Sequence, residues 1–163
     1  MAIKTVISNH PAAAQSDENR HSTAFDIPHK CTSLNLRRAA RAASQFLENY
    51  LQPLGLHSSQ FGILNCVSRF GSITMTSLAE EMSLDRTTVT RNLQIMERDG
   101  MVEVFEGKDR RVREIALTDY GKEVLSRAIP LWQQAEADLD ALLTEEQRKA
   151  ILTIVSAVSF ATP

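Results

Sequence analysis

Between residues 85 and 98 the apolar positions fall at Val89, Leu93 and Met96, the i, i+4, i+7 spacing that lines one side of an α-helix. The opposite side carries Thr87, Thr90, Arg91, Gln94 and Arg98, with Arg86 on the flank near the start. A shorter helical segment, Thr76 to Met82, comes just before it. Gly100 stops the second helix, because left-handed geometry just past a C-terminus is cheapest for glycine. Two strand-like runs follow, 101–106 and 112–117, joined by the charged tip Gly107-Lys108-Asp109-Arg110-Arg111. Two helices in tight succession and then a narrow hairpin predict a winged helix-turn-helix over residues 72–117.

Helical periodicity also marks the flanks. Leu36, Ala39, Ala40, Ala43, Phe46, Leu47, Tyr50 and Leu51 share a helix over 34–51, which Pro53-Leu54-Gly55 ends. A second helix over 59–70 turns Phe61, Leu64, Val67 and Phe70 inward. Beyond the hairpin, Thr118 can cap a long helix carrying Tyr120, Val124, Ala128, Leu131, Trp132, Ala135 and Leu139. Pro130 inside it predicts a kink or a break. Thr144-Glu145-Glu146-Gln147 has the form of a capping box opening a last helix. Ile151, Leu152, Ile154, Val155, Val158 and Phe160 make that helix apolar over much of its girth. Such width exceeds what one small core covers, so it implies a partner subunit; the alternative is a helix buried wholly within its own chain.

The expected fold is mainly α with a small β-wing: a winged helix-turn-helix plus N- and C-terminal dimerisation helices. Residues 1–30 show neither helical nor strand period and read as a flexible N-terminal arm. Residues 31–163 are expected to form the domain, with 31–71 and 118–163 as dimerisation helices around the 72–117 winged helix-turn-helix.

The outward face of the 85–98 helix carries hydroxyls, an amide and guanidinium groups, and no carboxylate. These groups bond base edges and phosphates: Arg to guanine, Gln to adenine, Thr to phosphate or a thymine methyl. An ordinary solvated face is the alternative, but such faces mix Glu with Lys. Thr87, Thr88 and Thr90 are also poor helix formers, so helix stability does not explain them. At the hairpin tip Lys108, Arg110, Arg111 and Arg113 stand against one acid, Asp109. A narrow hairpin carrying guanidinium groups can enter a minor groove. Asp109 can hold Arg111 by a bidentate pair and aim it; a solvated turn with a charge cluster is the alternative. The formal net charge is −2, so any basic contact surface depends on where the charges sit.

Leu78-Ala79-Glu80-Glu81, the run Asp85 to Leu93, the run Glu97 to Val102, Asp109-Arg110-Arg111 and Leu117-Thr118-Asp119-Tyr120-Gly121 together resemble the core signature of the MarR family of bacterial transcriptional regulators. The resemblance covers roughly residues 34–160, and 78–121 is its specific part. It implies a homodimer on a palindromic operator. Most relatives repress, and release DNA when a small, often phenolic, ligand or an oxidant reaches the dimer. By position, Arg86, Thr87, Thr88, Thr90 and Arg91 would face the major groove, with Gln94 on the same helix face. Asp109 and Arg111 would form the wing pair, with Arg111 in the minor groove and Lys108 and Arg110 as further DNA contacts. A ligand pocket between the dimer helices and the reading head is also implied. Its candidate lining is Arg41, Phe46, Tyr50, Phe61, Asn65 and Trp132, each with a plain core or surface role as the other explanation.

A thiol-based redox switch at Cys31, just ahead of the first helix, is an alternative trigger. Lys30, Arg37 and Arg38 add positive potential there, while a bystander cysteine is the simpler explanation. Cys66, on the apolar second helix, fits a small core residue. His10, His21 and His29 have no zinc-type spacing with Cys31, so neither metal nor cofactor is expected. There is no phosphate loop, nucleophile elbow or metal motif, which argues against an enzyme. A winged helix used for protein–protein contact would tolerate acids on the 86–94 face, and none is there. No run of 18 apolar residues spans a membrane, and no secretory h-region opens the chain; two cysteines suggest no disulfide framework. A cytoplasmic location is expected.

Overall fold

The structure is a computed structural model that describes residues 31–107 and 112–160, with the side chains of 159 and 160 excepted. The expected arm 1–30 and the tip residues Lys108, Asp109, Arg110 and Arg111 lie outside the described residues. The chain divides into two compact units, residues 1–37 and 38–163. In the first, the described residues are the opening of a helix, where the Asn35 N–H bonds the Cys31 carbonyl at 3.1 Å.

The elements run α1 (Thr32–Leu51), a 3-10 turn (Gln52–Leu54), α2 (Ser58–Phe70), β1 (Ser72–Thr74), α3 (Met75–Glu81), α4 (Arg86–Arg98), β2 (Val102–Glu106), β3 (Arg113–Leu117), α5 (Asp119–Ala141) and α6 (Glu145–Phe160). This is the expected mainly helical fold with a small β-wing. The sheet is antiparallel in the order β1-β3-β2. Strand β1 was not foreseen, because three residues are too few to display alternation. Its Ile73 pairs with Ile115, which also faces Val104 across β2, so one apolar row crosses the sheet.

The core of the second unit collects Leu51, Ile63, Leu64, Val67, Leu78, Val89, Leu93, Met96, Val102 and Ile115, all essentially inaccessible. Phe61 is buried too and stacks on Trp132 of α5, ring centroids 6.1 Å apart. Phe70 departs from expectation: it is 49% exposed at the last turn of α2, with the Arg69 guanidinium over its ring. Tyr120, at the second position of α5, is exposed, while the adjacent Gly121 is buried. Helix α5 continues through Pro130 without the break that a proline permits. Pro130 is exposed, so water can reach the carbonyl its missing N–H would have bonded.

One junction ties the reading head to the long helix. Gly100 takes φ 73° after α4, and the Met101 N–H reaches the Met96 carbonyl at 2.8 Å, a Schellman closure. Thr118 then caps α5 by accepting from the Gly121 N–H at 2.9 Å. Its hydroxyl donates to the Gly100 carbonyl at 2.6 Å. Gly121 packs so closely that an added Cβ would run into the Met101 carbonyl oxygen. At the far end the capping box forms as expected, Thr144 N–H to Gln147 Oε1 at 2.8 Å and Gln147 N–H to Thr144 Oγ1 at 3.3 Å.

Candidate nucleic-acid interface

Helix α4 buries Val89, Leu93 and Met96 and turns Thr87, Arg91 and Gln94 outward, exposed. Its N-terminus is closed by Asp85, whose carboxylate accepts from the Thr88 hydroxyl at 2.7 Å and the Thr88 N–H at 2.9 Å. Those two donors, the hydroxyl foremost, hold the Asp85 carboxyl below its ordinary range. The carboxylate beside the outward face is therefore satisfied within its own helix turn.

The threonines divide their work. Thr88 is half-buried and serves the cap, and the Thr90 hydroxyl donates to the Arg86 carbonyl at 2.7 Å. The Arg86 Nη2 donates to Thr76 Oγ1 at 3.0 Å and bridges to α3. Arg98 pairs with Asp99 at 3.0 Å in full view of solvent, a weak contact. The outward face is thus Thr87, Arg91 and Gln94 at its centre, with Arg86 at one end and Arg98 at the other. The turn between α3 and α4 closes through the Leu84 N–H to the Ala79 carbonyl at 2.9 Å, with Ser83 at φ 50°.

Three supporting residues escaped the sequence reasoning. Asp85 carries a readable signal, an acid directly ahead of an apolar-periodic run. Asn92 and Ser59 carry none, since their link joins residues 33 apart: the Ser59 hydroxyl donates to Asn92 Oδ1 at 3.2 Å. Asn92 also donates through Nδ2 to the Thr88 carbonyl at 2.9 Å. One residue earlier on α2, Ser58 donates its N–H and hydroxyl to Glu48 of α1 at 3.2 and 3.0 Å. Burial works against the Glu48 charge, but Ser58 and the nearby His57 outweigh it and hold the carboxyl below its usual range.

The six candidate pocket residues lie on α1, α2 and α5. Phe46 lines a groove of about 380 Å³ with Ala43, Leu47, Ser59, Met82, Leu84 and Leu139. Phe61 and Trp132 are stacked on each other, and Tyr50 donates to Asp138 on α5 at 2.6 Å. Arg41 and Asn65 are exposed.

In the first unit the Cys31 thiol sits 3.4 Å from the Ser33 hydroxyl, which with nearby N–H groups lowers its pKa. Cys66 is buried, and burial pushes its thiol up. Among the described residues no helix is long and apolar enough to cross a membrane.

The MarR family model matches residues 56–112, from just before α2 to just past the hairpin tip. A crystallised M. tuberculosis transcriptional regulator, MosR, in complex with DNA is 36% identical, with a TM-score of 0.72 over 82% of this chain and 99% of that one. E. coli MarR complexed with operator DNA, as a cysteine-to-serine variant, is 23% identical at a TM-score of 0.73, over 82% and 98%, a likeness of fold. YwhA of Bacillus subtilis, an HTH-type transcriptional regulator, is 30% identical over 95 residues, 58% of this chain and 68% of that protein. With its winged helix, its capped second helix and these relatives, the chain belongs to the MarR family of transcriptional regulators.

Proposed function

We propose that this chain is a sequence-specific DNA-binding repressor that acts as a homodimer on a palindromic operator. The observation that carries the proposal is the exposed face of α4 over residues 86–94, which holds no acid and on which Thr87, Arg91 and Gln94 stand together. Arg91 and Gln94 can each bond a base edge through paired donors and acceptors, and Thr87 can bond phosphate. By the family resemblance Lys108, Asp109, Arg110 and Arg111 of the wing would add to this contact, with Arg111 in the minor groove. The DNA bound to MosR and to E. coli MarR supports the same use of this fold.

Two reading heads must sit about 34 Å apart to meet successive major grooves, so the unit of action is a dimer. Ile151, Leu152 and Val155 of α6 are 47%, 71% and 59% exposed, an apolar surface suited to a second copy. The groove bounded by Phe46, Leu47, Met82 and Leu84 touches both the long helices and the turn before α4. A small ligand seated there sets the angle of the head and releases the operator.

A gel shift on the duplex upstream of the gene tests this, with phenolic acids and peroxide added separately. Retardation that a phenolic acid reverses is expected. Reversal by peroxide alone would move the trigger to Cys31, and no retardation at low salt would end the proposal.

A further inference from the structure

We infer that the Ser59–Asn92 hydrogen bond is a positioning contact that fixes the roll of α4 about its own axis. The inference rests on the DNA-reading role proposed for that helix. Asn92 lies half-buried between outward Arg91 and core Leu93. Its side chain is held at both ends, by Nδ2 to the Thr88 carbonyl of its own helix at 2.9 Å and by Oδ1 from the Ser59 hydroxyl at 3.2 Å. The first bond makes the amide a rigid extension of α4. The second fastens that extension to α2.

The far end of the tether is fixed as well, because neighbouring Ser58 is bonded to Glu48 of α1. The packing of Val89, Leu93 and Met96 gives α4 its depth and general orientation through interlocking shapes, but no bond with a preferred direction. A hydrogen bond does have one. At an outer helix radius of 5–6 Å, a roll of about 10° shifts a side-chain tip by roughly 1 Å. A recognition constellation tolerates about 0.5 Å. Losing the tether should therefore blur base reading while leaving phosphate attraction intact. Ser59 also lines the groove beside Met82 and Leu84, so any solute seated there meets the tether directly.

The test compares wild type, Ser59→Ala and Ser59→Thr by fluorescence anisotropy on a cognate duplex selected with the wild type and on a random duplex, alongside thermal melts. Ser59→Ala should cut the cognate-to-random affinity ratio about threefold to tenfold, the range of one hydrogen bond, with random-duplex affinity unchanged. Ser59→Thr, which keeps the hydroxyl, should restore the ratio to within about twofold. In an Asn92→Ala background, Ser59→Ala should add nothing further. Wild-type discrimination by Ser59→Ala, or equal losses on both duplexes that track a lowered Tm, would overturn the tether alone. A wild type without cognate preference overturns both the tether and the reading of α4.

Discussion

Helices α4 and α6 are both amphipathic and of similar length, yet the chain treats them in opposite ways. Helix α4 buries its apolar stripe, with Val89 and Met96 at 0% exposure and Leu93 at 2%. Helix α6 buries none of its described side chains, and Leu152 stands 71% exposed. Both stripes announce themselves at helical spacing, so periodicity identifies a face that wants cover but not the molecule that supplies it. For α4 the cover is α2, α3 and the sheet of the same unit. For α6 we assign it to a second copy.

That contrast breaks most sharply with paired leucine substitutions. Leu93→Ala should lower unfolding stability by about 2–5 kcal/mol, the cost of a core cavity, and a denaturant melt reads it directly. Leu152→Glu should leave the melt of a diluted subunit near wild type while weakening self-association at least a hundredfold. A symmetric dimer loses two buried leucines at about 1.5–3 kcal/mol each. Sedimentation across a concentration series checks it; a Leu152→Glu protein that dimerises normally would return α6 to its own chain.

A smaller effect separates the regions by pH. Tyr50 of α1 donates to Asp138 of α5, and that bond, with a second from Gln134, holds the Asp138 carboxyl below its ordinary 3.8. Its stabilisation is full above that value and is lost as pH falls through the lower folded pKa. The same bond raises Tyr50 above its ordinary 10.0, so its share is full below that value and is lost as pH climbs toward the raised one. Tyr50→Phe should flatten both edges of the Tm-against-pH curve, and an unchanged curve would remove the pair from the stability of the helical flank.

Where the sequence was legible, a local rule was operating. The cap at Thr118, the closure at Gly100 and the capping box at Thr144 are each decided by residues within a few positions. The α4 stripe is equally local. Phe70 misled because period alone cannot say where a helix leaves its core. Contacts between distant positions were not legible by any local rule: Tyr50 meets Asp138 across 88 residues, and Phe61 meets Trp132 on a distant helix. The threonines of α4 held a different lesson. Their number suggested contacts to DNA; the hydroxyls of Thr88 and Thr90 also donate at the helix start, and Thr87, Arg91 and Gln94 form a narrower, fully exposed set.

The central claim is that this narrowed face reads bases, and Arg91→Ala tests it most directly. Anisotropy on the selected cognate duplex should show a loss of about 1–3 kcal/mol, with random-duplex affinity nearly unmoved. Equal weakening on both duplexes, or no weakening on either, would contradict it.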